Sequence, residues 1–144
     1  MKIGLDVHGV IDRFPAEFAL LTKRWLDGLG HEVHIVTGSP WDGAEPQVKK
    51  MGIQFSHHFS IVDHHRGVGT IMTNKESGWW MEQETWNRSK GDYAKTVDLD
   101  IHFEDTLAYA PWFPSSCTFI HVGRRFDIVQ DIVTDFLGAY RLFE

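Results

Sequence analysis

Short apolar runs alternate along this chain with stretches whose apolar residues recur every three or four positions. KIGLDV (2–7), EVHIVTG (32–38), LDIHFED (99–105) and CTFIHVG (117–123) are of the first kind and predict strands. Residues 15–30 are of the second kind. Phe18, Leu21, Trp25 and Leu29 form one apolar stripe, with Pro15 suited to the first helical turn and Gly30 to the position after the last. A shorter helix is predicted at 43–52, closed by Gly52, and a brief helical segment near 106–112. A final helix near 127–138 would bury Ile128, Val129, Ile132, Val133, Phe136 and Leu137. Apolar strands alternating with amphipathic helices predict a three-layer, Rossmann-like α/β domain, in which a mostly parallel sheet is covered by helices on both faces.

The stretch 56–88 breaks this rhythm with glycines, paired histidines and Trp79, Trp80 and Trp86, and reads as a loop or hairpin insertion within one domain spanning 1–144. A length of 144 residues with 42% hydrophobic content supports one core of its own and leaves no room for two full domains. A net charge of −6, from 20 acidic and 14 basic residues, gives no broad cationic surface for nucleic acid or membrane headgroups. Any phosphate bound here must therefore be held locally. Cys117 is the single cysteine, which excludes an internal disulfide and a thiolate metal cluster. With no secretory-type segment and no apolar run long enough to span a bilayer, the expectation is a cytoplasmic protein without membrane contact.

The polar residues fall where such a sheet binds ligands. Ligands of open parallel sheets sit beyond the carboxyl ends of the strands, where loops and helix N-termini converge. Asp6, Thr37 and Asp105 each lie at or just past the end of a predicted strand. Ser89 reads as an N-cap with Asp92 three residues on, which makes Lys90 the first residue of a helix and brings an ammonium to the same rim. Two carboxylates from separate strands suit a hard cation such as Mg2+. Added to a hydroxyl and a lysine, they would neutralise a phosphoryl group, and a neighbouring aspartate could attack phosphorus.

In this order the pieces resemble the four motifs of the haloacid dehalogenase superfamily. DVHGVID (6–12) is similar to its nucleophile motif, usually Asp-x-Asp-Gly-Thr/Val, and IVTGS (35–39) to its second; Lys90 and IHFEDT (101–106) are similar to the third and the acidic fourth. The resemblance implies a Mg2+-dependent phosphohydrolase acting through an aspartyl-phosphate on a small phosphorylated metabolite or nucleotide. Asp6 would be nucleophile and metal ligand, and the His8 carbonyl a second ligand. Asp105 would bind the metal directly, with Glu104 in or near its shell. Thr37, Gly38 and Lys90 would hold phosphoryl oxygens, and Gly9 would let the loop turn beside them. The short span between Thr37 and Lys90 implies a small or absent cap, the kind of open site that a homo-oligomer can complete.

His8 departs from the family, which carries a second aspartate there as general acid and base. An imidazole can also donate and accept protons near neutral pH. Without that aspartate, the chain could instead be a weakly active or inactive domain of this type that binds a phosphorylated ligand or a protein. A third reading is a family member with another reaction.

Other features have competing explanations. Lys95 competes with Lys90, but would sit more than a turn further from the rim. Glu104 could be only an ion-pair partner, and Asp12 either a site residue or a turn cap. His57, His58, His64 and His65 form a rival, imidazole-rich metal cluster, although histidines on polar loops are usually solvated. The three tryptophans could stack a substrate ring but more readily anchor the insertion. Arg124 and Arg125 read as a surface pair.

Overall fold

The computed structural model describes residues 1–123. The helix expected near 127–138, and Arg124 and Arg125, lie outside them. Five strands form the main sheet: β1 (Lys2–Leu5), β2 (Glu32–Thr37), β3 (His57–Ser60), β6 (Ile101–Glu104) and β7 (Thr118–His121). Their order is β3-β2-β1-β6-β7 and every neighbouring pair is parallel. The helices are α1 (Pro15–Lys23), extended by a wider turn over Arg24–Gly28, α2 (Trp41–Lys50), α3 (Ile61–Gly67) and α4 (Gln83–Val97). No helix among the described residues is long and apolar enough to cross a membrane.

Strand alternation sorts side chains between two layers. Ile3 and Leu5, Val33 and Ile35, and Phe103 join one buried cluster with Phe18, Leu21 and Trp25 from the α1 region and Val48 from α2. Phe18 meets Phe103 edge to face at 5.7 Å. Replacing a ring so placed by alanine costs about 3–5 kcal/mol. Val36 and Leu99 belong to a second cluster with Ala94 of α4, against which Tyr93 and Val97 pack. Even-numbered positions of β1, β2 and β6 therefore face α4, and odd-numbered ones face α1 and α2. The architecture is α/β and Rossmann-like in this general sense.

The stretch 56–88 is more regular than expected. Only Thr73–Lys75 and Gly78–Trp80, β4 and β5, form an antiparallel hairpin. His57–Ser60 is a strand at the edge of the main sheet, in register with His34–Thr37. Ser60 then caps α3, its Oγ accepting from Asp63 N at 3.1 Å. The start of α4 also corrects the sequence reading. Its N-cap is Glu82, whose carboxylate accepts from the Glu84 and Thr85 amides, so Ser89 and Lys90 lie inside the helix. Ser89 Oγ donates back to Thr85 O at 2.6 Å, a side-chain-to-backbone bond characteristic of a helix interior. Asp92 pairs with Arg88 instead of closing a capping box.

Candidate functional site

Alternation places Asp6 and Glu104 on the same face of the sheet. Asp6 follows β1 in extended conformation, and its amide continues the ladder to Phe103 O at 3.1 Å. Glu104 ends β6. Both carboxylates thus face α4, whose Lys90 reaches between them. Lys90 Nζ lies 2.9 Å from Asp6 Oδ1 and 2.7 Å from Glu104 Oε2, with all three side chains buried. The ammonium also sits 4.5 Å from the centre of the Tyr109 ring, a cation–π contact on its remaining side. Lys90 therefore reaches the site from the middle of α4, not from its first turn, and Lys95 is exposed.

Electrostatics follow from this burial. Desolvation pushes the Asp6 carboxyl up to about 6; Lys90 pulls it back, while Glu104 pushes it further up. Burial likewise raises Glu104, with Lys90 opposing. Burial alone would lower Lys90, but Asp6 and Glu104 reverse this and hold it above the ordinary lysine value. The group is therefore an ammonium clamped by two carboxylates. His102 packs beneath, its Nε2 3.3 Å from Glu104 Oε2, and burial followed by the Lys90 charge drives it down to about 3. A neutral imidazole supports the Glu104 carboxylate without adding a second positive charge.

Asp105, just past β6, completes a triad with Asp6 and Glu104 whose ligand oxygens all lie within 4.8 Å of one another. Asp6 and Glu104 are buried and Asp105 is exposed. An all-oxygen donor set with a surplus of negative charge over one ammonium fits a hard dication such as Mg2+. Gly9 makes the approach of Asp105 possible. It adopts φ +81°, and any Cβ there would collide with the Asp105 carboxylate. The loop is held by Asp12, whose Oδ1 accepts from Gly9 N at 2.7 Å, so Asp12 acts as a turn cap.

A cleft of about 450 Å³ opens over these groups, lined by Asp6, His8, Lys90, Glu104 and Asp105. Its other sides include Gly38, Ser39, Trp86 and Tyr109, together with Ser77, Gly78 and Trp79 from the hairpin. His8 is exposed at the cleft. Thr37 does not line it: the residue is fully buried, and its Oγ1 accepts from Ser39 N at 3.2 Å. The lining there comes from Gly38 and Ser39. Ser39 is fixed from below by the strand that sequence reading missed, since Ser60 Oγ donates to Ser39 O at 2.8 Å. Trp86 abuts Gly38 and donates from Nε1 to Tyr109 Oη at 2.9 Å. Trp79 lies under the Arg66 guanidinium at 5.4 Å, which ties the hairpin to α3.

The four clustered histidines do not converge. His57 and His58 lie on β3, stacked on His34 and Trp41 respectively. His65, on α3, is 2.8 Å from both Ser89 Oγ and Thr70 Oγ1. His64 is on α3 against Phe59. Sequence reasoning missed Tyr109, Ser39 and His102. His102 was legible in principle, because it shares the even-numbered parity of Glu104 on one strand.

The chain matches no protein-family model and no solved structure. Among curated proteins it is similar to Protein Vpr of human immunodeficiency virus type 1 group M subtype F2, 31% identical over 64 residues. That similarity covers 44% of this chain, which spans 59% of the length of the viral protein.

Proposed function

We propose that the protein is a Mg2+-dependent phosphomonoesterase of haloacid dehalogenase type, acting on a small phosphorylated metabolite or nucleotide. The observation that supports this reading is the buried contact of Lys90 with Asp6 and Glu104 beside Asp105, at the carboxyl ends of β1 and β6.

Asp6, Glu104 and Asp105 would hold the cation, which supplies charge neutralisation for the phosphoryl oxygens. Asp6 attacks phosphorus through a carboxylate oxygen as the bond from phosphorus to the leaving oxygen breaks. Lys90 holds Asp6 in position and offsets negative charge gathering on the phosphoryl group. Gly38 and Ser39 line that side of the cleft where the Thr37 hydroxyl was expected, and would contact the phosphoryl oxygens in its place. His8 gives a proton to the departing oxygen, then takes one from the water that attacks the aspartyl-phosphate. Phosphate leaves and the Asp6 carboxylate is restored.

The test is phosphate release from an aryl phosphate by the full chain, with Mg2+ and with chelator. Release that needs Mg2+ and vanishes in Asp6→Asn supports the reading. No release from a broad panel of phosphoesters, with binding of a phosphorylated ligand retained, replaces it by a binding function.

A further inference from the structure

A second group of ligating side chains lies at the amino ends of β2 and β3, the opposite end of the sheet from the cleft. Glu32, His34 and His57 each present a ligand atom within 4.8 Å of the others. Their closeness follows from register. His34 and His57 are cross-strand partners, and Glu32 precedes His34 by two positions on the same face.

We propose that Glu32, His34 and His57 form a binding site for a transition-metal dication of the zinc class, bridging β2 to the edge strand β3. Imidazole nitrogens with one carboxylate are a borderline-soft donor set that suits zinc better than Mg2+. His34 Nε2 is 3.3 Å from Glu32 Oε2, and His57 Nδ1 is 3.8 Å from it. Ligands at zinc bond lengths in a tetrahedron are about 3.3–3.4 Å apart, so small rotations suffice.

His34 is already oriented. It is buried, and its Nδ1 lies 2.7 Å from the Tyr93 hydroxyl, which fixes the ring and leaves Nε2 toward the carboxylate. Such an outer partner is what metal-ligating histidines ordinarily have. His57 is exposed and stacked on His34 at 4.5 Å, and its Nδ1 lies 3.1 Å from Ser56 Oγ, so a small turn of the ring exchanges that contact for the ion. Lys2, the register partner of Glu32, sends its ammonium to Val97 O at 2.8 Å and does not occupy the carboxylate. With one residue exposed and another half-buried, a fourth ligand position faces water.

The experiment uses the full chain, stripped with chelator and titrated with Zn2+ in excess Mg2+, with Asp105→Asn titrated in parallel to account for any zinc taken up by the carboxylate triad at the cleft. Zinc uptake is read against a chromophoric chelator, alongside the melting temperature. Expected are one zinc equivalent and a rise in Tm. His57→Ala should melt like the unmodified chain without metal and lose both responses. Tyr93→Phe should weaken binding roughly ten- to hundredfold as an outer-partner loss. Co2+ in place of Zn2+ should give a visible spectrum of four-coordinate type that His57→Ala abolishes. The proposal is overturned if no stoichiometric zinc binds, if uptake survives both His57→Ala and Glu32→Gln, or if His64→Ala removes it instead.

Discussion

Lys90 Nζ lies 2.9 Å from Asp6 Oδ1, with both groups withdrawn from solvent and Glu104 closing the opposite side of the ammonium. Removing one partner of such a set leaves a buried charge uncompensated, which costs about 3–5 kcal/mol. Lys90→Met is therefore expected to lower stability by about that amount in chemical denaturation at pH 7 with chelator. The triple variant with Asp6→Asn and Glu104→Gln should recover most of the loss. A triple variant no more stable than Lys90→Met would show that the lysine acts mainly by packing.

Asp6 and His102 give the fold opposite responses to pH. The Asp6 value of about 6 lies above its ordinary 3.8, so the folded chain holds a proton that the unfolded chain has released. Stability from this group is full below about pH 4 and falls as pH rises toward 6. The His102 value of about 3 lies under its ordinary 6.5, so its contribution is full above pH 6.5 and is lost as pH falls toward 3. Between pH 4 and 6 the two slopes oppose each other. In chelator, the stability of Asp6→Asn should rise more steeply with pH over that window than that of the unmodified chain, by at most about 1.4 kcal/mol per pH unit. Denaturation midpoints at several pH values check this, and an unchanged slope would remove the assignment.

His8 as proton donor implies dependence on the leaving group. His8→Ala should slow alkyl phosphates far more than activated aryl phosphates, because an activated leaving oxygen needs little protonation. General acid–base catalysis is worth about 10²–10⁴-fold, so the gap between the substrate classes should fall in that range. Equal slowing of both classes would assign His8 to binding.

Asp105 is the exposed member of the carboxylate triad, so its removal disturbs the core least. Mg2+ at about a hundred times its dissociation constant should stabilise the fold by about 2.7 kcal/mol. Asp105→Asn should lose most of this increment while melting near the unmodified chain in chelator. Thermal melts with and without Mg2+ provide the measurement.

Gly4 tests the layer beneath the site. A Cβ at that position would stand 2.5 Å from His102 Nδ1 and 2.8 Å from Leu99 Cδ1. Gly4→Ala should destabilise by about 1–3 kcal/mol through overpacking, as read by denaturation.

The central strands were legible because β1 and β2 are short, mostly apolar runs and β6 alternates apolar with polar residues. β3 was not, because an edge strand buries little, and His57 and His58 give it a polar sequence. The start of α4 was misread for a related reason. Its first turns contain one large apolar residue, Trp86, so the apolar period begins late, and the serine at 89 imitates a cap. Asp6, Lys90, Glu104 and Asp105 were named from sequence and do come together. The reason given for Lys90 was different, since α4 crosses the sheet face and does not end at the rim. Thr37 could not be separated from Ser39 by sequence, because which of two neighbours lines a cleft depends on the loop bond made by Ser60.

The odd and even positions of β1 and β6 tie chemistry to folding fidelity. Sliding either strand by one residue would carry Asp6 or Glu104 into the layer of Phe18 and Trp25 and turn Leu5 or Phe103 toward the ammonium of Lys90. A chain that mispairs these strands thus forfeits its core together with its reactive groups. Molecules that fold are, by the same alternation, molecules whose carboxylates point the right way, so proofreading of the site is built into the assembly of the sheet.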